Sequence, residues 1–240
     1  MGRSLSNKPQ IISKQYLIPF SLVGLLFPLW GFANDITNPL VAAFKNILLI
    51  SHFESALVQF AFYGGYCFMA IPAAIFIKRF NYKQAILMGL ALYSIGCFLF
   101  IPAGNLMIFE AFLVAYFIMT CGLSFLETSA NPYILSMGDE STATQRLNFA
   151  QAFNPLGSLT GMFVAKEFIL ARLNTTSEVQ RRELAQRDPG VFSQIQQSDL
   201  NVIIDPYLIL GIIVALVFIV FSLTKLPDSK SSNNICERVL

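Results

Sequence analysis

Charge is scarce in this sequence. Only 12% of its 240 residues are Asp, Glu, Lys or Arg, against roughly 25% in soluble domains. A water-soluble fold of this size could not hide the apolar remainder. The formal net charge of +2 is too small to point to nucleic acid. There is one histidine, His52, and no acid cluster, so no metal site and no cofactor is expected. The four cysteines are Cys67, Cys97, Cys121 and Cys236. Three lie in apolar runs and no pair has metal-ligand spacing, so they read as small packing residues rather than a disulfide. No phosphate loop, nucleophile elbow or zinc motif occurs. ATP is therefore not the expected energy source. No nucleophile and base stand at usable spacing, so an enzyme is not expected.

Hydrocarbon is abundant. Hydrophobic residues make up 55% of the chain, and the mean hydropathy is +0.61. Several apolar runs reach the roughly 20 residues that a helix needs to cross a bilayer. The expected fold is all-α, a polytopic membrane protein with a bundle of six transmembrane helices. The spans run from about Tyr16 to Phe44, Ser55 to Ile77, Lys83 to Ile101, Asn105 to Met137, Leu147 to Leu170 and Pro206 to Thr224. Pro19, Pro28 and Pro39 should bend the first, and the fourth is long enough to tilt or project into water. The transmembrane domain is thus residues 16–226, preceded by a segment 1–15 and followed by a polar tail 227–240.

Orientation follows from the basic residues of short loops. Arg3, Lys8 and Lys14, then Lys78, Arg79 and Lys83, then Arg146, then Lys225, Lys230 and Arg238 all fall on one side of a six-span path. Both termini are therefore expected in the cytoplasm. The opposite side holds Lys45 and a longer outer loop, about 172–205, where acids alternate with bases. Its stretch "TSEVQRRELAQRD" begins with a cap, Thr176 or Ser177, and reads as a short amphipathic or solvated helix. Met1-Gly2-Arg3-Ser4-Leu5-Ser6 fits a loose myristoylation pattern and is discounted. The first apolar run is long and lacks a small-residue cleavage site, so it reads as a span rather than a signal peptide.

A few polar residues stand inside these spans. Glu127, in "LSFLETSANPYILSM", lies deep in the fourth. An acid at a helix centre costs roughly 2.5–3.5 kcal/mol on insertion scales and marks proton or substrate pathways by default. It inserts more cheaply protonated, and can take a proton from one side and release it to the other. The alternative is a fixed partner within the bundle. Asp35 is a second acid, and Asn34, Asp35 and Asn38 share one helical face beside Pro39; the alternative is the wet end of span one. Asn148, Gln151 and Asn154 form a stripe on span five. Amides carry donors and acceptors that suit a polyhydroxyl ligand, or they hold helices together. Gly157 and Gly161 form a small-xxx-small pair for close packing. Trp30, beside Gly31, either stacks on a sugar ring or packs.

Four stretches in order, "FPLWGFANDITNPL", "QFAFYGGYCFMAIPAAIFIKRFNYK", "LETSANPY" and "RLNFAQAFNPLGS", together resemble the fucose–proton symporter family of the major facilitator superfamily, which includes bacterial glucose/galactose transporters. The loop "AAIFIKRFNYK" keeps basic residues but lacks the Gly and Asp of the usual superfamily pattern. The resemblance implies a sugar pathway between two six-helix halves that open alternately to each side. It assigns proton coupling to Glu127 and sugar contact to Gln151 and Asn154. The family has an Asn-x-x-Asp pattern on the first span. Here Asp35 comes first and Asn38 holds the usual acid position, so Asp35 is expected to supply the carboxylate one turn away. Asn34 and Asn38 are further sugar-binding candidates.

The resemblance covers only the amino-terminal half of a twelve-span protein. The implied function is proton-coupled transport of L-fucose or a related hexose across a bacterial inner membrane, as a whole or a half transporter. Its partners are then the sugar, protons, the lipid bilayer, and either a second half-transporter chain or a second copy in a homodimer. Two other readings stay open: a transport-inactive remnant or assembly partner, and a sugar facilitator without proton coupling.

Overall fold

A computed structural model describes residues 11–227. No strand occurs among them. The first crossing is made by α1 (Leu17–Gly24) and α2 (Leu26–Leu48). It bends at Leu25. Pro28 supplies the reason: it has no N–H, so the Gly24 carbonyl lacks its partner four residues on. The next three crossings are single helices, α3 (His52–Arg79), α4 (Tyr82–Leu106) and α5 (Phe109–Ser136). Each of α2, α3, α4, α5 and α9 (Pro189–Leu223) carries an interior proline, at Pro39, Pro72, Pro102, Pro132 and Pro206. Neighbouring helices make such breaks tolerable in a membrane.

The fifth crossing is built in pieces: α6 (Ala143–Gln151), α7 (Asn154–Val164) and a π-helical turn over Ala165–Leu170. Pro155 explains the interruption, because the Gln151 carbonyl loses its helical donor there. The other crossings are long and apolar enough to span a bilayer as they stand. A short α8 (Glu178–Arg187) precedes α9, which supplies the sixth.

The structure corrects several boundaries. Span two begins at His52 because Ser51 and Glu54 form a capping box: Ser51 Oγ accepts from the Glu54 N–H at 3.1 Å and Glu54 Oε2 accepts from the Ser51 N–H at 2.7 Å. Asn105 belongs to α4, not to span four. The outer loop over 172–205 is largely helical. Asp188 caps α9 by accepting from the Val191 N–H at 3.1 Å, and Pro189 takes its first turn. At 1.5 Å per residue α9 is about 52 Å long, well beyond the roughly 30 Å of a hydrocarbon core. Its first turns therefore stand outside the apolar layer. Cys67 is exposed rather than packed. Cys236, most of the amino-terminal segment and nearly all of the tail lie outside the described residues.

Two basic residues expected as loop cations are structural caps. Arg146 is fully buried. It donates to the carbonyls of Ile134 (3.3 Å), Leu135 (2.9 Å), Asp139 (3.0 Å) and Ile11 (3.3 Å), and to Thr142 Oγ1 (2.7 Å). Lys83 donates to the carbonyls of Ser222 (3.0 Å) and Thr224 (2.9 Å) at the end of α9. Both put positive charge where a helix carbonyl end is negative.

The opposite end is also tied. Ser177, rather than Thr176, caps α8, accepting from the Gln180 N–H at 3.4 Å. Arg181, expected on an amphipathic or solvated helix, is buried and pairs with Asp199 of α9 at 2.5 Å. Removing one partner of such a pair strands a buried charge and costs about 3–5 kcal/mol. Glu178 meets Arg182 at 3.0 Å and, from the end of α2, Lys45 at 3.2 Å.

Helices α2 and α7 approach each other backbone to backbone. A Cβ on Gly157 would collide with the Pro28 carbonyl, and one on Gly31 with the Asn154 carbonyl. On Gly161 it would meet the Phe32 carbonyl oxygen at 2.8 Å. Backbones approach this closely only where side chains are missing.

Gly157→Val should therefore lower stability by about 1–3 kcal/mol, whereas Gly24→Ala, where a Cβ meets nothing within 4 Å, should shift it by less than about 1 kcal/mol. Thermal unfolding in detergent checks both. Hydrogen bonds from Arg182, then Lys45, hold the Glu178 carboxyl below its usual range. A depressed folded-state value contributes stability above the unfolded-state value, and the contribution is lost as pH falls through the depressed one. The protection factors of the α8 amides, taken against the intrinsic exchange rate at each pH, should fall below about pH 4, by roughly two- to fivefold. In Glu178→Gln that fall should vanish.

Candidate functional site

A cavity of about 580 Å³ opens between α2, α3, α5 and the start of the fifth crossing. That lies within the roughly 300–1,000 Å³ of small-molecule sites. Trp30, Asn34, Glu127, Gln151 and Asn154 all line it. The α2–α7 contact brings them together: Gly31 packs against Asn154, so the two amide-bearing walls meet at the backbone.

Asp35 and Asn38 are not among the lining residues. Asn38 lies one turn beyond Asn34, and its Oδ1 accepts from Gln59 Nε2 of α3 at 2.9 Å. Asp35 makes no ion pair or side-chain hydrogen bond among the described residues. Asn148, expected on one stripe with Gln151 and Asn154, does not line the cavity either. Asn148 shares the unbroken α6 with Gln151, and the break at Ala152 and Phe153 falls between Gln151 and Asn154, which both line the cavity.

Three lining residues with polar groups went unnoticed in the sequence. Tyr66 accepts from the Trp30 indole N–H at 2.7 Å and thereby fixes the ring. Trp30 also leans on Phe27, with centroids 5.6 Å apart. Asn131 lies one turn after Glu127, and its Oδ1 accepts from Gln151 Nε2 at 3.4 Å. That i, i+4 spacing in "LETSANPY" was the available signal. Tyr63 has none: aromatic residues crowd that stretch of α3.

Glu127 is the only carboxylate among the lining residues. It has no hydrogen bond or ion pair among the described residues. It also borders a second opening, of about 680 Å³, with Tyr63, Tyr66, Cys67, Thr128 and Asn131. The two openings share Tyr63, Tyr66, Glu127 and Asn131, so the carboxylate stands where they adjoin. No group of three or more metal-ligating side chains occurs among the described residues. The arrangement offers an indole face, hydroxyls and four amides around one unpaired acid. Amides and hydroxyls both donate and accept, as sugar hydroxyls do.

This chain belongs to the Major Facilitator Superfamily, whose family model matches residues 23–236. It is 53% identical over 227 residues to the L-fucose-proton symporter of Haemophilus influenzae, covering 92% of this chain and 52% of that protein. It is 38% identical to the L-fucose-proton symporter of Escherichia coli, over 92% of this chain and 50% of that one. A glucose/galactose transporter of Brucella abortus is 33% identical over 90% of this chain and 48% of its own length. The crystal structure of the E. coli fucose:proton symporter matches with a TM-score of 0.76 at 37% identity, over 89% of this chain and 50% of that one. The chain spans about half the length of the curated relatives it matches. The matching half is the amino-terminal one. The six-helix bundle is therefore that of a major facilitator half.

Trp30 is the chain's one tryptophan, so intrinsic tryptophan fluorescence reports on this cavity alone. Tyr66→Phe removes the indole's acceptor and should shift the emission maximum. An unchanged spectrum would mean that the indole N–H does not depend on Tyr66.

Proposed function

We propose that this chain carries the sugar-binding wall and the proton-coupling acid of a bacterial inner-membrane symporter for L-fucose or a related hexose. The observation that carries the reading is a cavity with an indole, four amides and a single, unpaired carboxylate. Trp30 would stack on the apolar ring face, while Asn34, Asn131, Gln151 and Asn154 would bind hydroxyls. Glu127 would carry the proton. Its neutral form favours a closed, dry site, because an uncompensated buried charge is costly. Binding and protonation are then linked, as coupling requires. The relatives' names, fucose–proton symporter and glucose/galactose transporter, agree with that chemistry.

Asp35 is the second acid of this proposal, one turn from Asn38 and outside the cavity lining. Asn38 serves as a sugar contact only if the Gln59 hydrogen bond opens. With both termini cytoplasmic, α8 lies outside the cell, and Lys78 and Arg79 lie inside. A second half, or a second copy, would close the cavity; Tyr63 of α3, which lines it, is exposed. Neither arrangement would place the site anywhere but at the midplane.

The test is uptake of labelled fucose, galactose and glucose into proteoliposomes under a pH jump, beside Trp30 fluorescence titrations. One of the three sugars should perturb Trp30. Glu127→Gln should keep that binding within about tenfold and abolish gradient-driven uptake. Asp35→Asn should also impair proton-linked uptake, and uptake unchanged in that variant would remove Asp35 from the pathway. If none of the sugars perturbs Trp30, the hexose reading is wrong.

A further inference from the structure

We propose that a groove between α2, the fifth crossing and α9 holds one phospholipid, and that it selects a head group bearing both a phosphate and a primary ammonium. The groove measures about 770 Å³. Its walls are apolar along most of their length, including Leu29, Phe32, Val164, Ile209, Ile213 and Val217. The charged lining residues are Arg172 and Asp205. Both stand toward the α8 end, where the apolar run of α9 begins and the fifth crossing stops.

The length fits one leaflet. From Val202 to Val217, which both line the groove, α9 rises about 22 Å at 1.5 Å per residue. A leaflet with its head groups is half of roughly 40–45 Å. The two charges therefore lie at head-group depth, in the leaflet nearest α8, and the apolar stretch covers the acyl region. A polar occupant would leave its backbone or side chains against this wall without partners.

The charges specify the head. Arg172 and Asp205 are exposed, and neither makes an ion pair among the described residues. They share one groove without pairing with each other. The π-helical turn shapes this end: its i, i−5 hydrogen bond from Ala171 N–H to the Lys166 carbonyl measures 3.0 Å. The Phe168 ring lies under Arg172, with the guanidinium carbon 5.2 Å from the centroid. Lys166 and Glu167 of the same turn pair with each other at 3.3 Å. Arg172 is left as the cation that faces the groove. A guanidinium suits a phosphate in bidentate fashion, and a carboxylate suits an ammonium that has N–H donors. A quaternary ammonium has none. A purely anionic head would meet Asp205 with like charge. The groove shares no lining residue with the amide-lined cavity.

Native mass spectrometry of the full chain in mild detergent tests this. The chain would be titrated with phosphatidylethanolamine, phosphatidylcholine and phosphatidylglycerol of identical acyl chains. Phosphatidylethanolamine should be retained about tenfold better than the other two. Asp205→Ala should erase its advantage over phosphatidylcholine while leaving both bound. Arg172→Ala and the groove-filling Ile213→Trp should lower retention of all three. Equal retention of the three lipids by the unaltered chain would overturn the head-group assignment without any need for a variant. A lipid-free dimer lost in Ile213→Trp would overturn the lipid itself, and make the groove a contact between copies.

Discussion

The cavity depends on α2 and α7 touching backbone to backbone. Trp30 and Asn34 stand on one helix, Asn154 on the other, with Gln151 just before it, and Gly31, Gly157 and Gly161 remove the side chains that would hold those helices apart. In hydrocarbon there is no hydrophobic gain from pairing apolar helices, so close van der Waals contact must supply the attraction. Here that contact does more than stabilise. A wider separation would move the amides of the fifth crossing away from the indole. The prolines add to the effect, because Pro28 and Pro155 each end a run of helix beside a glycine contact. Bend and close approach together give the wall its shape.

Charge is used sparingly and almost entirely at the ends. Arg146 and Lys83 hold the carbonyl ends of α5 and α9, and the Arg181–Asp199 pair fastens α8 to α9. Burying Arg146 without a carboxylate is tolerable because five oxygens receive its donors. Arg181 differs: one guanidinium nitrogen, Nη1, is buried without a hydrogen-bond partner. Against this background the unpaired acids stand out. Where nearly every internal charge is compensated, an open carboxylate in the middle of the bundle is a departure that structure alone does not require.

The class of fold was legible because apolar run length and the scarcity of charge are properties of composition. Glu127, Gln151, Asn154, Asn34 and Trp30 were legible because a polar residue costs so much inside a membrane that its presence is a signal in itself. Boundaries were less so. The start of α9 was hidden by Pro206, which reads as a helix stop but is accommodated within a packed helix. The stripe through Asn148 failed because a spacing of three residues falls about 60° short of a full 3.6-residue turn, so Asn148, on the same unbroken α6 as Gln151, does not share its facing. Tyr66 was invisible for a different reason. A tyrosine among aromatic residues carries no local sign that its hydroxyl meets an indole 36 positions earlier in the chain.

The place of Glu127, where two openings adjoin, bears on how a single acid of the proposed symporter would couple two fluxes. A carboxylate enclosed by one chamber exchanges its proton only when that chamber is open. Glu127 borders both the amide-lined cavity and the opening beside Cys67 and Thr128. In the proposed symporter, coupling would rest on the cost of closing the site around a charge. The unpaired state of Glu127 suits that role. A permanent cationic partner would hold the acid ionised, and would remove the difference between its two states on which coupling depends.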